Sequence, residues 1–149
     1  MKKNLVGSTM ALVFILFFVA TTLAQEVRLE LFSTQNETQL KTTIYFVNNG
    51  EVVAAQFDII YDSEGLTSGK VLGEVSLGER GFTLNAKEIS PGRIRVIIIP
   101  PIKSPPPLLP NGPLTRLSFL IERENVEFPS LSDVILSNAK AERLGVGSE

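Results

Sequence analysis

Few side chains in this sequence are of a type and spacing that could do chemistry. Asp58 and Asp62 stand four residues apart, and on an extended strand that spacing puts both carboxylates on one face. Paired carboxylates are the machinery of glycoside hydrolysis, but two acids on a strand face usually form only its solvated lining. There is no His and no Cys. That removes Ser-His-Asp and Cys-His nucleophilic centres and zinc sites built on those ligands. Gly65-Leu66-Thr67-Ser68-Gly69-Lys70 has the wrong glycine spacing for a phosphate loop, and no helix pattern follows it. No Asp-x-Asp-x-Asp-Gly calcium loop is present. The expectation is a non-enzymatic chain with no cofactor and no metal site.

The elements that position these residues read as strands. Ala55, Phe57, Ile59 and Tyr61 alternate with Gln56, Asp58, Ile60 and Asp62, so one row faces a core and the other faces outward. A part-polar outward row marks an antiparallel sheet with one solvated side. Val27–Leu31 and Leu40–Val47 predict two strands before this one, and Val71–Leu77, Phe82–Lys87, Arg93–Ile99, Leu114–Ile121 and Asp133–Ser137 predict five after it. Turn signals separate them: Asn36-Glu37-Thr38 (also a formal glycosylation sequon), Asn48-Asn49-Gly50, Gly78-Glu79-Arg80-Gly81 and Ser90-Pro91-Gly92. Short strands with no helical stripe after residue 24 indicate an all-β antiparallel sandwich of about eight to nine strands. Pro100–Pro113 holds seven of the nine prolines. It reads as a stiff crossover, since proline has no N–H to give a ladder.

The N-terminus carries Lys2 and Lys3, then an apolar run from Leu5 to Ala20, then Thr22-Leu23-Ala24. This predicts a signal peptide over 1–24, cut between Ala24 and Gln25, and a secreted, periplasmic or cell-surface domain over 25–149. Membrane contact is expected only through that segment, were it left uncut. Losing Lys2 and Lys3 takes the formal charge from −2 to −4. A mildly acidic, unclustered surface argues against nucleic acid as a partner. A domain of this size can build a core without disulfides, and it has no cysteine to make one.

The ordered set of segments resembles the cohesin domain family over about Val27 to Leu144. Val53–Asp62 resembles that family's third strand, which ends in Tyr-Asp. Phe82-Thr83-Leu84-Asn85, Pro91–Val96 and Asn111–Phe119 resemble later segments, the last carrying a Gly-x-Leu-x-x-Leu-x-Phe pattern, and Leu131–Ala139 looks like its eighth strand. The resemblance implies a jelly-roll sandwich that binds a dockerin, a module that folds around calcium, through the face made by the family's strands eight, three, six and five. On that face it would place Ala54, Gln56 and Asp58, which alternation alone also points outward. Alternation adds Ile60 beside them and, on the strand after Gly92, Arg93, Arg95, Ile97 and Ile99. Isoleucines within a rim of Gln56, Asp58 and Arg95 would make an apolar patch of the kind that marks interaction sites. The family's ninth strand, which lies near the first, has little sequence left to form it after Leu144; either the eighth segment is split or the first strand keeps an open edge.

Two other readings stand beside this one. A polysaccharide-binding module of related fold would need aromatic platforms. This chain has no Trp and two Tyr, Tyr61 has core parity, and the phenylalanines mostly fit core positions, so a platform is not expected. A structural subunit of a surface assembly would instead use an open edge strand for strand addition.

Overall fold

The computed structural model describes residues 27–48 and 50–144. The predicted signal peptide and its Ala24–Gln25 cleavage point lie outside the described residues. Ten strands and one short helix follow in order: β1 (Arg28–Gln35), β2 (Gln39–Val47), β3 (Val52–Ile60), β4 (Leu66–Ser68), β5 (Leu72–Gly73), α1 (Val75–Glu79), β6 (Thr83–Ser90), β7 (Arg93–Ile99), β8 (Gly112–Ile121), β9 (Ser130–Asn138) and β10 (Arg143–Leu144). They form two antiparallel sheets. One runs β1-β2-β8-β4, with β5 also on β8; the other runs β10-β9-β3-β7-β6.

The core lies between the sheets and is filled by the inward rows that the alternation marks. Phe57 and Ile59 of β3, Val96 and Ile98 of β7 and Leu136 of β9 meet Leu40, Ile44 and Phe46 of β2 and Leu117 and Phe119 of β8. Tyr61 continues the β3 row into this core, its ring centroid 5.0 Å from that of Phe119. Truncating a buried Phe in such a core costs about 3–5 kcal/mol.

Turn chemistry fixes the registers. Asn36 Oδ1 accepts from the amides of Thr38 and Gln39, so Asn36-Glu37-Thr38 is the β1–β2 turn. Pro91-Gly92 joins β6 to β7. Gly92 has φ +79°, and a Cβ there would stand 2.6 Å from the Tyr61 carbonyl oxygen. Only glycine fits both demands.

The proline-rich segment leaves β7 in one sheet and enters β8 in the other, so it is the crossover that the sequence suggested. Leu109 within it is buried and donates its amide to the Val52 carbonyl at 2.8 Å. Asn48, also buried, holds it in place. Its Nδ2 donates to the carbonyls of Val52 and Leu109, its Oδ1 accepts from the amides of Gly50 and Val52, and its own amide donates to Asn111 Oδ1.

One expectation needs correction. Val71–Leu77 is not a strand: the chain pairs at β4 and β5, then turns through α1, which drops Leu77 into the core. A short apolar run does not distinguish a strand from a buried helical turn. The phenylalanines after residue 24 mostly fill the core as expected: Phe46, Phe57, Phe82 and Phe119 are buried, while Phe32 and Phe128 are exposed. Of the two alternatives for the end of the chain, the structure has the open edge: the last described strand, β10, pairs with β9 rather than lying beside β1. Among the described residues β1 pairs only with β2, so one edge of it is open.

Candidate functional site

The outer face of the β9-β3-β7-β6 sheet gathers the residues singled out by alternation. Register sets Gln56 opposite Ile97, Asp58 opposite Arg95 and Ile60 opposite Arg93 between β3 and β7. On the other flank Ala54 faces Ser137, Gln56 faces Ile135 and Asp58 faces Ser132 of β9. Along β6, Thr83 pairs with Ile99, Asn85 with Ile97 and Lys87 with Arg95. Ala54, Gln56, Ile60, Arg95 and Ile97 are half-buried, and Ile99 is 46% exposed. Neither the proline crossover nor any other described segment hides Ile99. Ile135, which sequence reasoning left unassigned, extends the apolar strip across β9, and Lys87 adds a cation on β6. Both follow from parity once the register is known.

Asp58 differs from what alternation suggests. It points to the outer face but has no exposed surface. Two arginines close over it. Arg95 grips the carboxylate bidentately, with Nε 2.8 Å from Oδ1 and Nη2 2.9 Å from Oδ2, while Arg93 Nε lies 2.6 Å from Oδ2. Arg93 reaches on to Asp133. Asp133 sits in a bulge of β9 opposite Gln56–Asp58, with φ +48°. That left-handed backbone suits Asp better than most residues. The hydrogen bond from Arg95 holds the Asp58 carboxyl below the usual carboxylate range, with Arg93 adding to the effect against the cost of burial. The same bond raises Arg95. Asp58 therefore lies covered on this face, and its carboxylate fixes the two guanidinium groups above it.

Asp62, the other acid of the imagined pair, lies just past β3. It accepts from Arg123 Nη2 at 2.7 Å, and that bond lowers its carboxyl too. A glycosidase acid needs one carboxyl raised; here both are lowered by arginines, so this pair does not meet the electrostatic requirement. The Gly65–Lys70 stretch contains the strand β4. Among the described residues no group of three or more His, Cys, Asp or Glu side chains is placed to hold a metal ion, and no helix is long and apolar enough to cross a membrane.

The opposite outer face, on the β1-β2-β8 sheet, has a different character. Lys41, Thr43 and Tyr45 of β2 face outward beside Arg116 and Ser118 of β8. Phe32 and Tyr45 meet edge to face with centroids 5.3 Å apart, 54% and 39% exposed. They line an open groove of about 740 Å³ with Glu30, Val47, Asn111 and Gly112. This small aromatic platform was not expected. The signal was present, since extending the Val27–Leu31 alternation by one residue turns Phe32 outward.

The sequence matches no protein-family profile and no curated protein. Solved structures do match. The sixth cohesin of scaffoldin B from Acetivibrio cellulolyticus, in complex with a mutant Cel5 dockerin, superposes with a TM-score of 0.67 at 13% identity, covering 82% of this chain and 93% of that one. The cohesin module of a family 33 glycoside hydrolase from Clostridium perfringens gives 0.60 at 14%, covering 83% and 90%. The second type II cohesin of the adaptor scaffoldin ScaA of Acetivibrio cellulolyticus gives 0.61 at 14%, covering 80% and 89%. The fold is cohesin-like: a β-sandwich of two antiparallel sheets, as the ordered segments suggested.

Proposed function

We propose that this chain is an exported, non-catalytic module that binds a dockerin-like partner through the outer face of β9-β3-β7-β6. One observation carries the reading: that face sets Ile60, Ile97, Ile99 and Ile135 around two guanidinium groups already locked on Asp58. An apolar strip with pre-ordered polar groups is what a specific protein interface needs, because little side-chain freedom is left to lose on docking. Cohesins of this fold solved with dockerins support the choice of partner. The contacts assigned are Ala54, Gln56, Ile60, Arg95, Ile97, Ile99 and Ile135, with Asp58 beneath them.

The test is calorimetry of residues 25–149 against a panel of dockerin modules, with and without a calcium chelator. The expected result is binding to at least one module, lost on chelation and weakened at least ~30-fold by Ile97→Asp, as for a central hot spot of about 2 kcal/mol or more. Binding untouched by Ile97→Asp would remove the face. No binding to any dockerin would remove the partner.

The exposed Phe32–Tyr45 pair favours a second reading, contact with polysaccharide on the opposite face. Sugar rings stack on such aromatics, and Glu30 and Asn111 border the groove with polar groups. Affinity electrophoresis in soluble glucans, with retardation abolished by Tyr45→Ala, is the check. Strand addition along the open edge of β1 is a third use of the fold, and deleting residues 27–31 would disrupt it most.

A further inference from the structure

The sandwich is open along the side where β4 ends one sheet and β6 ends the other. Among the described residues β6 pairs only with β7. Leu84, Ala86 and Glu88 stand across the ladder from Ile98, Val96 and Ile94, so they belong to the inward row. Their partners on β7 are buried, yet Ala86 and Glu88 are exposed and Leu84 is half-buried. The facing strand is too short to cover them, since β4 has three residues. What remains is a trough of two hollows, of about 390 and 620 Å³, that share Ser68 and Glu88 in their walls. It has one oriented charge. The buried Tyr61 donates its hydroxyl to Glu88 Oε1, and the Gly92 amide donates to the same oxygen at 3.3 Å. Glu88 Oε2 takes no hydrogen bond, and Glu88 has no ion-pair partner, among the described residues. Lys70, in the wall of the smaller hollow, does not pair with it. A carboxylate held by neutral donors, with one oxygen free, is set to accept a charge-assisted bond from an incoming cation.

We infer that this trough takes an extended peptide, which pairs with the free edge of β6 and lowers a lysine or arginine side chain onto Glu88. An aliphatic side chain two residues away lies over Leu84 and Ala86. Three features choose that occupant. The free edge of β6 offers backbone donors and acceptors at strand spacing, which another extended chain matches. The pleat of an added strand sends every second side chain toward the trough. Glu88 then sets the sign of one of them. The register shift between Glu88 and Ser90 interrupts the ladder, so the pairing edge runs from Thr83 to Glu88. At the usual strand rise that is about 20 Å, room for five or six residues. Lys87 stands on the other row and faces away from the trough. The site uses the inward row and the edge of β6, whereas the proposed dockerin contact uses the outward row, so the two readings fail separately.

The experiment titrates ¹⁵N-labelled protein with the peptide Ac-Thr-Val-Thr-Lys-Thr-NH₂ and with its reverse, Ac-Thr-Lys-Thr-Val-Thr-NH₂, because a free edge admits either strand direction. The expected result is shift changes at the amides of Leu84–Glu88 and Ser68–Val71 with at least one of them. Methylating the peptide's threonine nitrogens should abolish the response, since the edge pairing then loses its donors. Norleucine in place of the peptide's lysine should weaken binding about tenfold, the scale of one charge-assisted hydrogen bond. In Glu88→Gln the lysine and norleucine peptides should bind alike. The norleucine comparison on the unaltered protein stands even where Glu88→Gln disturbs Tyr61. Ile97→Asp should leave the peptide response unchanged, which separates the trough from the outer face. No response with either peptide, a response centred on the β1 edge, or equal binding of the lysine and norleucine peptides to the unaltered protein would overturn the inference.

Discussion

The two outer faces of this sandwich are built from strands of similar length and alternation, yet they handle charge in opposite ways. On β9-β3-β7-β6 a carboxylate is sunk beneath two arginines, and isoleucines flank the closed network. On β1-β2-β8 Lys41 and Arg116 stand exposed among threonine and serine, Arg116 paired with Glu74, and the apolar features are one aromatic pair and Leu120. The first face holds its charged side chains in one hydrogen-bonded network; most of the second is ordinary solvated sheet. Burying Asp58 removes it from water, a penalty that only good geometry on both oxygens can offset. A sheet does not need such a network merely to fold. Its placement at the centre of one face, with apolar neighbours left uncovered, is what separates that face from the other.

The contrast can be broken at several points. The largest expected effect is on binding. Ile97→Asp should weaken dockerin capture at least ~30-fold, whereas Leu120→Asp on the opposite face should leave it unchanged; calorimetry of both variants checks this. Next comes stability. Asp58→Asn removes the negative charge and one of the two acceptor oxygens that Arg93 and Arg95 share, and should cost about 1–3 kcal/mol in urea unfolding. Lys41→Gln should stay within about 0.5 kcal/mol. The third is pH. The Asp58 carboxyl is lowered in the folded state, so its contribution is present above the ordinary carboxylate value of about 4 and is lost as pH falls through the folded value. Urea midpoints measured below about pH 4 should therefore drop more steeply for the native protein than for Asp58→Asn. The smallest effect belongs to the aromatic pair. Phe32→Ala should lose about 0.5–1.5 kcal/mol of edge-to-face contact and leave dockerin binding intact. A loss of protein binding there would erase the distinction between the faces.

Much of the architecture was written in local pattern. Arg93–Ile99 is a strand with the bounds that its alternation suggested, because Pro91-Gly92 on one side and Pro100 on the other fix its ends. The inward row of β3 was equally plain. What could not be read was which neighbours lie over an outward residue. Asp58 is 35 and 37 positions from the arginines that bury it. They meet only through the β3–β7 register, which strand alternation leaves open to any shift by two. The partnership of Asp133 needed a bulge in β9, an irregularity without a periodic signature. The segment around Val71–Leu77 failed for a different reason. Its apolar residues serve the core through a helical turn, and nothing in a run that short fixes its period.

Asn48 binds the β2–β3 turn to a point in the proline crossover more than sixty residues away. That one side chain and the burial of Leu109 fix one point of an otherwise largely exposed segment. Opening it releases the Leu109 amide, the Asn48 carboxamide and the apolar seat of Leu109 together. Most residues of Pro100–Pro113 are prolines or lie outside any ladder, so hydrogen exchange there should be fast. The Leu109 amide should be the exception, a single slow proton in a fast segment. Its rate would report how often the strap between the two sheets lets go while both sheets remain intact.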